Sequence, residues 1–387
     1  MMVPFWASVQ SPLPQPSTTT SGALPIHERM AFFWHDHFAC AQDKIFDIVA
    51  LWDQLGIFRR MAMGNFADLT RAVSVSPAML MALDNQHNTV WEPQENFGRE
   101  LMELYTCGVG HFTEADVVAM TQAWTGHNTV GWNSAQRFWD GTYRFKPDAH
   151  DTGQKTLFGI TANWNGNAHQ GGGRDTIDEL VFGVRQQATA SRLAELMFKH
   201  FANLQPAQST IDSIAAAFIA GGMEISALVR AVLEHDDFWA PASHWAQVKN
   251  PMDWIVSIVQ QTGISASHFG LRWRMENMGM VPLDPPSVAG WGRGTAWLNT
   301  ASAWARGSFA ESLRWRGEMA GVFEGLEDLD RAAAVDTIFG YYGIDHPSAA
   351  TRNRLMAWFD DAHANHRWSI RHQARMLGAL VPEFQVY

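Results

Sequence analysis

Residues 93–127, PQENFGRELMELYTCGVGHFTEADVVAMTQAWTGH, constrain the fold most, because they read as two capped amphipathic helices in tandem. Thr113 with Asp116 three residues on resembles a capping-box start for a helix over 114–124, although the pattern prefers Glu or Gln at the third position. Asp116 is therefore read as a cap. In the preceding helix, over 93–106, ~100° per residue sets Asn96, Glu100, Glu103 and Cys107 within roughly a 60° arc, while Phe97, Leu101 and Leu104 face a core. Two carboxylates one turn apart are a candidate site, and the same spacing also describes a solvated helix face.

Helix punctuation recurs along the chain. Ile26, Met30, Phe33, Trp34, His37 and Phe38 predict a helix over 26–41, and Ile45, Val49, Trp52 and Leu55 predict another over 43–57 closed by Gly56. Asn250-Pro251-Met252-Asp253 starts a helix that Gly263 stops, and Gly221-Gly222 separates helices near 209–219 and 224–235. Only 129–146, with Thr129, Val130, Trp132, Phe138, Trp139, Tyr143 and Phe145 among Gly and Asn, looks like a β-hairpin. Residues 162–173, ANWNGNAHQGGG, read as a loop without the Lys-Ser/Thr ending of a phosphate loop. The expectation is a mostly α fold: a single compact multi-helix domain over 25–387, with a small β-hairpin insertion near 129–146.

The run NFGRELMELYTCGVGHFTEADV (96–117) and the Trp-Thr-Gly that follows, together with six other segments in the same order, resemble a bacterial family known as domain of unknown function 1800. Those segments are RMAFFWHDHFA (29–39), GNFADL (64–69), SPAMLMALDN (76–85), HDTGQKTLFG (150–159), VKNPMDWIV (248–256) and PPSVAGWGRGTAWLNTAS (285–302). The resemblance covers roughly residues 27–385. It implies a mostly helical fold and carries no settled activity. Relatives often look exported and have a further helical region before the WHxHF segment, so this chain is expected to be a short intracellular form or one truncated at its start. The family's genes tend to lie beside those of another family, domain of unknown function 1501, which resembles sulfatase and phosphatase-like proteins; the resemblance thus implies a two-protein system.

Composition narrows the function classes. With 39 acidic against 28 basic residues, the net charge of −11 argues against a surface that tracks phosphates, so no nucleic-acid partner is expected. No apolar stretch approaches the ~18 residues of a membrane span, which predicts a soluble chain. Residues 1–24, rich in Pro, Ser and Thr, lack the basic and apolar regions of a signal peptide and read as a disordered arm. Cys40 and Cys107 are read as thiols, since two cysteines without a C-x-x-C pattern make neither a disulfide framework nor a zinc site. The 18 Trp and 23 Phe imply an aromatic core or a ring-lined groove; WNGN (164–167) and PPSVAGWGRGTAW (285–297) are the candidate platforms.

His35-Asp36-His37 invites a metal reading, but alternate residues on a helix point ~200° apart, so both imidazoles reach one ion only if the helix ends or distorts at Trp34. His37 falls on the core stripe; His35 lies beside Glu28 and Phe32, where it could meet a groove. Asp148, His150 and Asp151 form a second cluster, in a loop. His111, His127 and His169 lie near turns and are each expected to be solvated. Convergence of His35, His37, Glu100, Glu103, His150 and Asp151 would make a His/carboxylate set for a divalent transition metal such as iron, manganese or zinc, with Glu100 and Glu103 as the catalytic pair. This predicts a metal-dependent enzyme, hydrolytic or oxidative, of unknown substrate. The alternative is a non-catalytic binding or scaffold partner of a domain of unknown function 1501 protein in an exported complex.

Overall fold

The computed structural model describes residues 25–133, 138–165, 172–264 and 270–387. The arm over 1–24, the hairpin tip, part of the loop over 162–173 and His169 lie outside the described residues. Among the described residues, eighteen α-helices and two two-stranded antiparallel sheets make up the regular structure, with short 3₁₀ turns between them. Two compact units form: residues 26–240 with 283–291, and residues 241–282 with 292–387.

The first unit is built on α1 (Pro25–His37), whose Met30, Phe33 and Trp34 are buried together with Phe38 just beyond its end. Trp34 donates its indole N–H to the Ala62 carbonyl at 3.0 Å, and Phe38 lies 5.1 Å from the Tyr105 ring. One helix over 43–57 is not what forms. The chain makes α2 (Gln42–Ile45), turns through Phe46 at φ 54°, and restarts as α3 (Ile48–Met61), with Asp47 accepting from the Val49 and Ala50 amides. An aspartate that satisfies two orphan amides starts a new helix, and the restart shifts the buried face to Ala50, Leu51, Gln54, Leu55 and Phe58. Val49 and Trp52, expected inside, are left exposed, and Gly56 sits within the helix instead of ending it.

Asn65 caps α4 (Phe66–Ser74), and Ser76 with Pro77 starts α5 (Pro77–Ala82). α6 (Asn96–Glu103) buries Phe97, Leu101 and Met102, whereas Leu104, at its C-cap, is only half-buried. α7 (Glu114–Ala123) starts with both halves of the predicted capping box. The two helices approach closely at Gly98, where a Cβ would stand 3.1 Å from the Thr121 amide. β1 (His127–Asn133) pairs with β2 (Phe138–Phe145), the predicted hairpin. β3 (Lys155–Leu157) and β4 (Ile160–Ala162) form a second one that the sequence reading did not contain. Its strands are too short to show alternation, and its turn uses Phe158 (φ 53°) before Gly159 (φ 81°). The Phe158 amide donates to Asp116 Oδ1 at 2.7 Å, so the cap of α7 also anchors this turn. α8 (Thr176–Val181), α9 (Gln186–Phe201), α10 (Gln208–Ala220), α11 (Ile225–Leu233) and α12 (Asp236–Trp239) complete the unit.

In the second unit, α13 (Pro251–Thr262) has the predicted Asn250 cap and a left-handed Gly263 at its end. α14 (Leu271–Asn277) and α18 (Ile370–Leu380) both pack on α15 (Thr300–Leu313), and α16 (Arg331–Tyr341) packs with α17 (Ala349–Asn365). Trp254 and Phe309 meet edge to face at 5.5 Å in the core. Buried Arg375 donates to the carbonyls of Arg314, Ala320 and Val322, which ties the turn after α15 to α18.

Candidate functional site

The helix α1 runs through His37 without distortion at Trp34, so His35 and His37 point apart. His37 Nε2 donates to the Tyr105 carbonyl at 3.0 Å, and its ring stacks parallel to Phe33. It is a hydrogen-bonded core histidine. His35 is fully buried as well, its ring against Trp291 and Phe58, so it meets no groove. Its Nε2 accepts the Leu283 amide at 3.1 Å. The neutral ring then carries its proton on Nδ1 and has no lone pair left for a cation, so His35 does not fit a metal site. Burial pushes its pKa down to about 4.

Between them, Asp36 Oδ1 accepts the Trp291 amide at 2.8 Å. Gly290 (φ 83°) presses on the same residue, and a Cβ there would overlap the Asp36 carboxylate and carbonyl. Three consecutive side chains thus hold two distant stretches of chain, residues 283–291 and the end of α6. The fastened loop continues the contact, with Gln42 donating to the Leu283 carbonyl at 2.8 Å and Asp43 to Asp284 Oδ1 at 3.2 Å.

Loop and α2 enclose a groove of about 420 Å³, lined by Ala41, Asp43, Lys44, Asp284, Pro285 and Val288 among others. Lys44 reaches Asp84 at 2.9 Å in an open ion pair, of a kind worth little by itself. Two residues past Lys44 begins an apolar ridge: Phe46 is 82% exposed, and Ile48, Val49 and Trp52 are exposed beside it.

Glu100 and Glu103 are half-buried on α6. Burial, then the neighbouring Glu103 charge, hold the Glu100 carboxyl above the usual carboxylate range against the pull of Arg99. Cys107 does not share their face. The helix ends at Glu103, Arg192 binds the Leu104 carbonyl at 3.1 Å, and the buried Cys107 thiol turns back to the Met102 carbonyl at 3.6 Å. Burial pushes that thiol up to about 11.

His150 Nδ1 donates to the Thr125 carbonyl at 2.9 Å, and Nε2 meets the Asn165 side-chain oxygen at 3.1 Å. Gly172 lies flat on this ring, where a Cβ would overlap it. Asp151 shapes a turn: its Oδ1 accepts the Gly153 amide at 2.8 Å and stands 3.4 Å from Lys155 Nζ. The Lys155 ammonium is buried and donates to the carbonyls of Asp151, Gly153 and Asn163. Asp148 is exposed. Among the described residues, no group of three or more His, Cys, Asp or Glu side chains is placed to hold a metal ion.

His127, expected to be solvated, is fully buried at the start of β1. Its Nε2 donates to the Gly172 carbonyl at 2.8 Å, and its Nδ1 accepts from the Tyr143 hydroxyl at 3.1 Å. Burial lowers its pKa to about 3, against the effect of the Gly172 carbonyl. The signal that could have found it is Trp124-Thr125-Gly126-His127, a helix end turning through a left-handed Gly126 directly into a strand. The proposed Trp platforms are overturned too: Trp164, Trp291 and Trp297 are buried, and the exposed tryptophans include Trp91, Trp273, Trp304, Trp315 and Trp368 instead.

A family model described as "Protein of unknown function (DUF1800)" matches residues 17–386. No curated protein and no solved structure matches the chain.

Proposed function

Because the chain belongs to the family of proteins of unknown function DUF1800, whose description assigns no activity, we propose from its geometry that it is a non-catalytic binding protein. The groove beside α2 takes a protein partner. The observation that carries this reading is Phe46, 82% exposed and held at φ 54°. A bulky residue in the left-handed region and an apolar ring in water each cost free energy, and such features mark contact surfaces. Ile48, Val49 and Trp52 extend the ridge. The partner class that the family resemblance implies is a domain of unknown function 1501 protein, in an exported complex.

Co-expression of the two proteins tests this. A stoichiometric complex on gel filtration is expected, and the double change Phe46→Ser and Val49→Asp should abolish it without lowering the melting temperature. A complex indifferent to that change removes the groove from the interaction.

A second reading, a metal-dependent hydrolytic or oxidative enzyme using Glu100 and Glu103, is favoured by the raised Glu100 carboxyl. Two carboxylates in partial burial favour a proton or a cation between them. Elemental analysis of protein purified without chelator tests it: transition metal near one per chain, lost in Glu100→Gln, supports the enzyme, and protein that binds none under added metal sinks it.

A further inference from the structure

Two turns of the second unit, far apart in sequence, bring a pair of imidazoles together. His244 follows the 3₁₀ turn Pro241–Ser243, and His346 lies between the end of α16 and Ser348, the cap of α17. Their ring centres are 6.3 Å apart at an interplanar angle of 73°, and both residues are exposed. Each turn is held from its own side. The His244 amide donates to the Pro241 carbonyl at 3.3 Å, and its ring lies 5.3 Å from that of Trp245, which sits at φ 58°. Pro347 disfavours helical backbone at His346, while the buried Ile344 donates its amide to the Phe339 carbonyl at 2.9 Å. Both turns also border the C-terminal segment. Beyond His244, Gln247 exchanges backbone hydrogen bonds with Tyr387 at 3.0 and 3.3 Å, and beyond His346 the Ser348 amide donates to Glu383 Oε1 at 2.9 Å.

We propose that His244 and His346 form a copper(II) site that fastens these two turns beside the C-terminal segment. An imidazole nitrogen binds such an ion at ~2.0 Å, so with a ring radius of about 1.2 Å each ring centre stands about 3.2 Å from it. Two centres that share an ion are then about 5.2 Å apart at the tetrahedral angle and about 6.4 Å apart in line. The observed 6.3 Å matches the in-line case. Trans positions in a square plane belong to copper(II) and nickel(II) rather than to tetrahedral zinc, and copper(II) is the stronger binder of nitrogen ligands. Calcium and magnesium take oxygen instead. Among the described residues no third His, Cys, Asp or Glu joins the pair, so the remaining corners of the plane fall to water. A site completed by water exchanges its ion with solution, and its occupancy follows the copper concentration.

The test is a copper(II) titration of the whole untagged chain, stripped with chelator beforehand, and read by electron paramagnetic resonance, in which nitrogen ligands split the copper signal. A single site is expected, with nickel(II) and zinc(II) weaker. His244→Ala and His346→Ala should each weaken it about 10²-fold, the gain of two tethered ligands over one. His111→Gln, at an exposed histidine of the first unit, should leave it unchanged. Copper should also slow hydrogen exchange at the Gln247 and Tyr387 amides. Melting temperatures show that the variants fold; should one not, the other carries the test. No copper site, copper binding that survives both changes, as a site at Glu100 and Glu103 would, tighter binding of zinc(II), or unchanged hydrogen exchange overturns the proposal.

Discussion

His35 Nε2 accepts the Leu283 amide at 3.1 Å across 248 residues of sequence, and the residue beside it, Asp36, accepts Trp291. The His-Asp-His run is thereby a fastener for the loop that walls the groove. Loss of the imidazole leaves a buried amide without a partner, at about 1–3 kcal/mol, and adds a cavity. His35→Ala should lower the urea midpoint and make residues 283–291 the first site of limited proteolysis. Cleavage elsewhere first would show that the bond does not hold the loop.

The same loop depends on Gly290. A side chain there faces both a φ of 83° and the Asp36 carboxylate, and the left-handed conformation alone costs about 1–2 kcal/mol. Gly290→Ala should destabilise the groove wall while the far-ultraviolet dichroism stays helical. Full wild-type partner binding and stability in this variant would contradict the close approach.

Stability should fall in mild acid. His35 and His127, with pKa values near 4 and 3 in the folded chain, are neutral in the fold at a pH where an unfolded histidine, at 6.5, takes a proton. The unfolded state then binds more protons, so this stability is complete above pH 6.5 and declines as pH drops toward 4. Two such groups give a slope of about 2.7 kcal/mol per pH unit in that window. Urea midpoints across the window measure it, and His127→Phe should roughly halve the slope. A flat profile would mean that both rings are charged in the fold, and a halved slope that one of them is.

On α6, Leu101 is buried and Glu103 is half-exposed. Leu101→Ala should cost about 2–5 kcal/mol, as deletions of buried leucines do, and Glu103→Gln should cost little. Equal losses in chemical denaturation would reverse the faces of this helix.

Asp116 caps α7 and also takes the Phe158 amide. Asp116→Ala should cost more than the ~1 kcal/mol of a lost cap, because the β3–β4 turn loses its anchor. Hydrogen exchange at Phe158 should rise together with that at the start of α7; a change confined to the helix would place the turn's stability elsewhere.

What the sequence determined by itself is local: Thr113 with Asp116, Asn250 before Pro251, Gly263 in the left-handed region and the divergence of His35 from His37 all follow from contacts within a turn or two. Family membership and the mostly helical class were legible for the same reason, since caps and apolar spacing are written residue by residue. The tertiary structure decided the rest. Nothing local tells that His127 is sealed by Tyr143 and Gly172, or that Trp291 is buried while Trp315 is open. Each of these depends on a partner tens or hundreds of residues away, as Leu283 is for His35. A side chain's chemistry is set by the groups that surround it, and spacing along the chain records only the nearest of them.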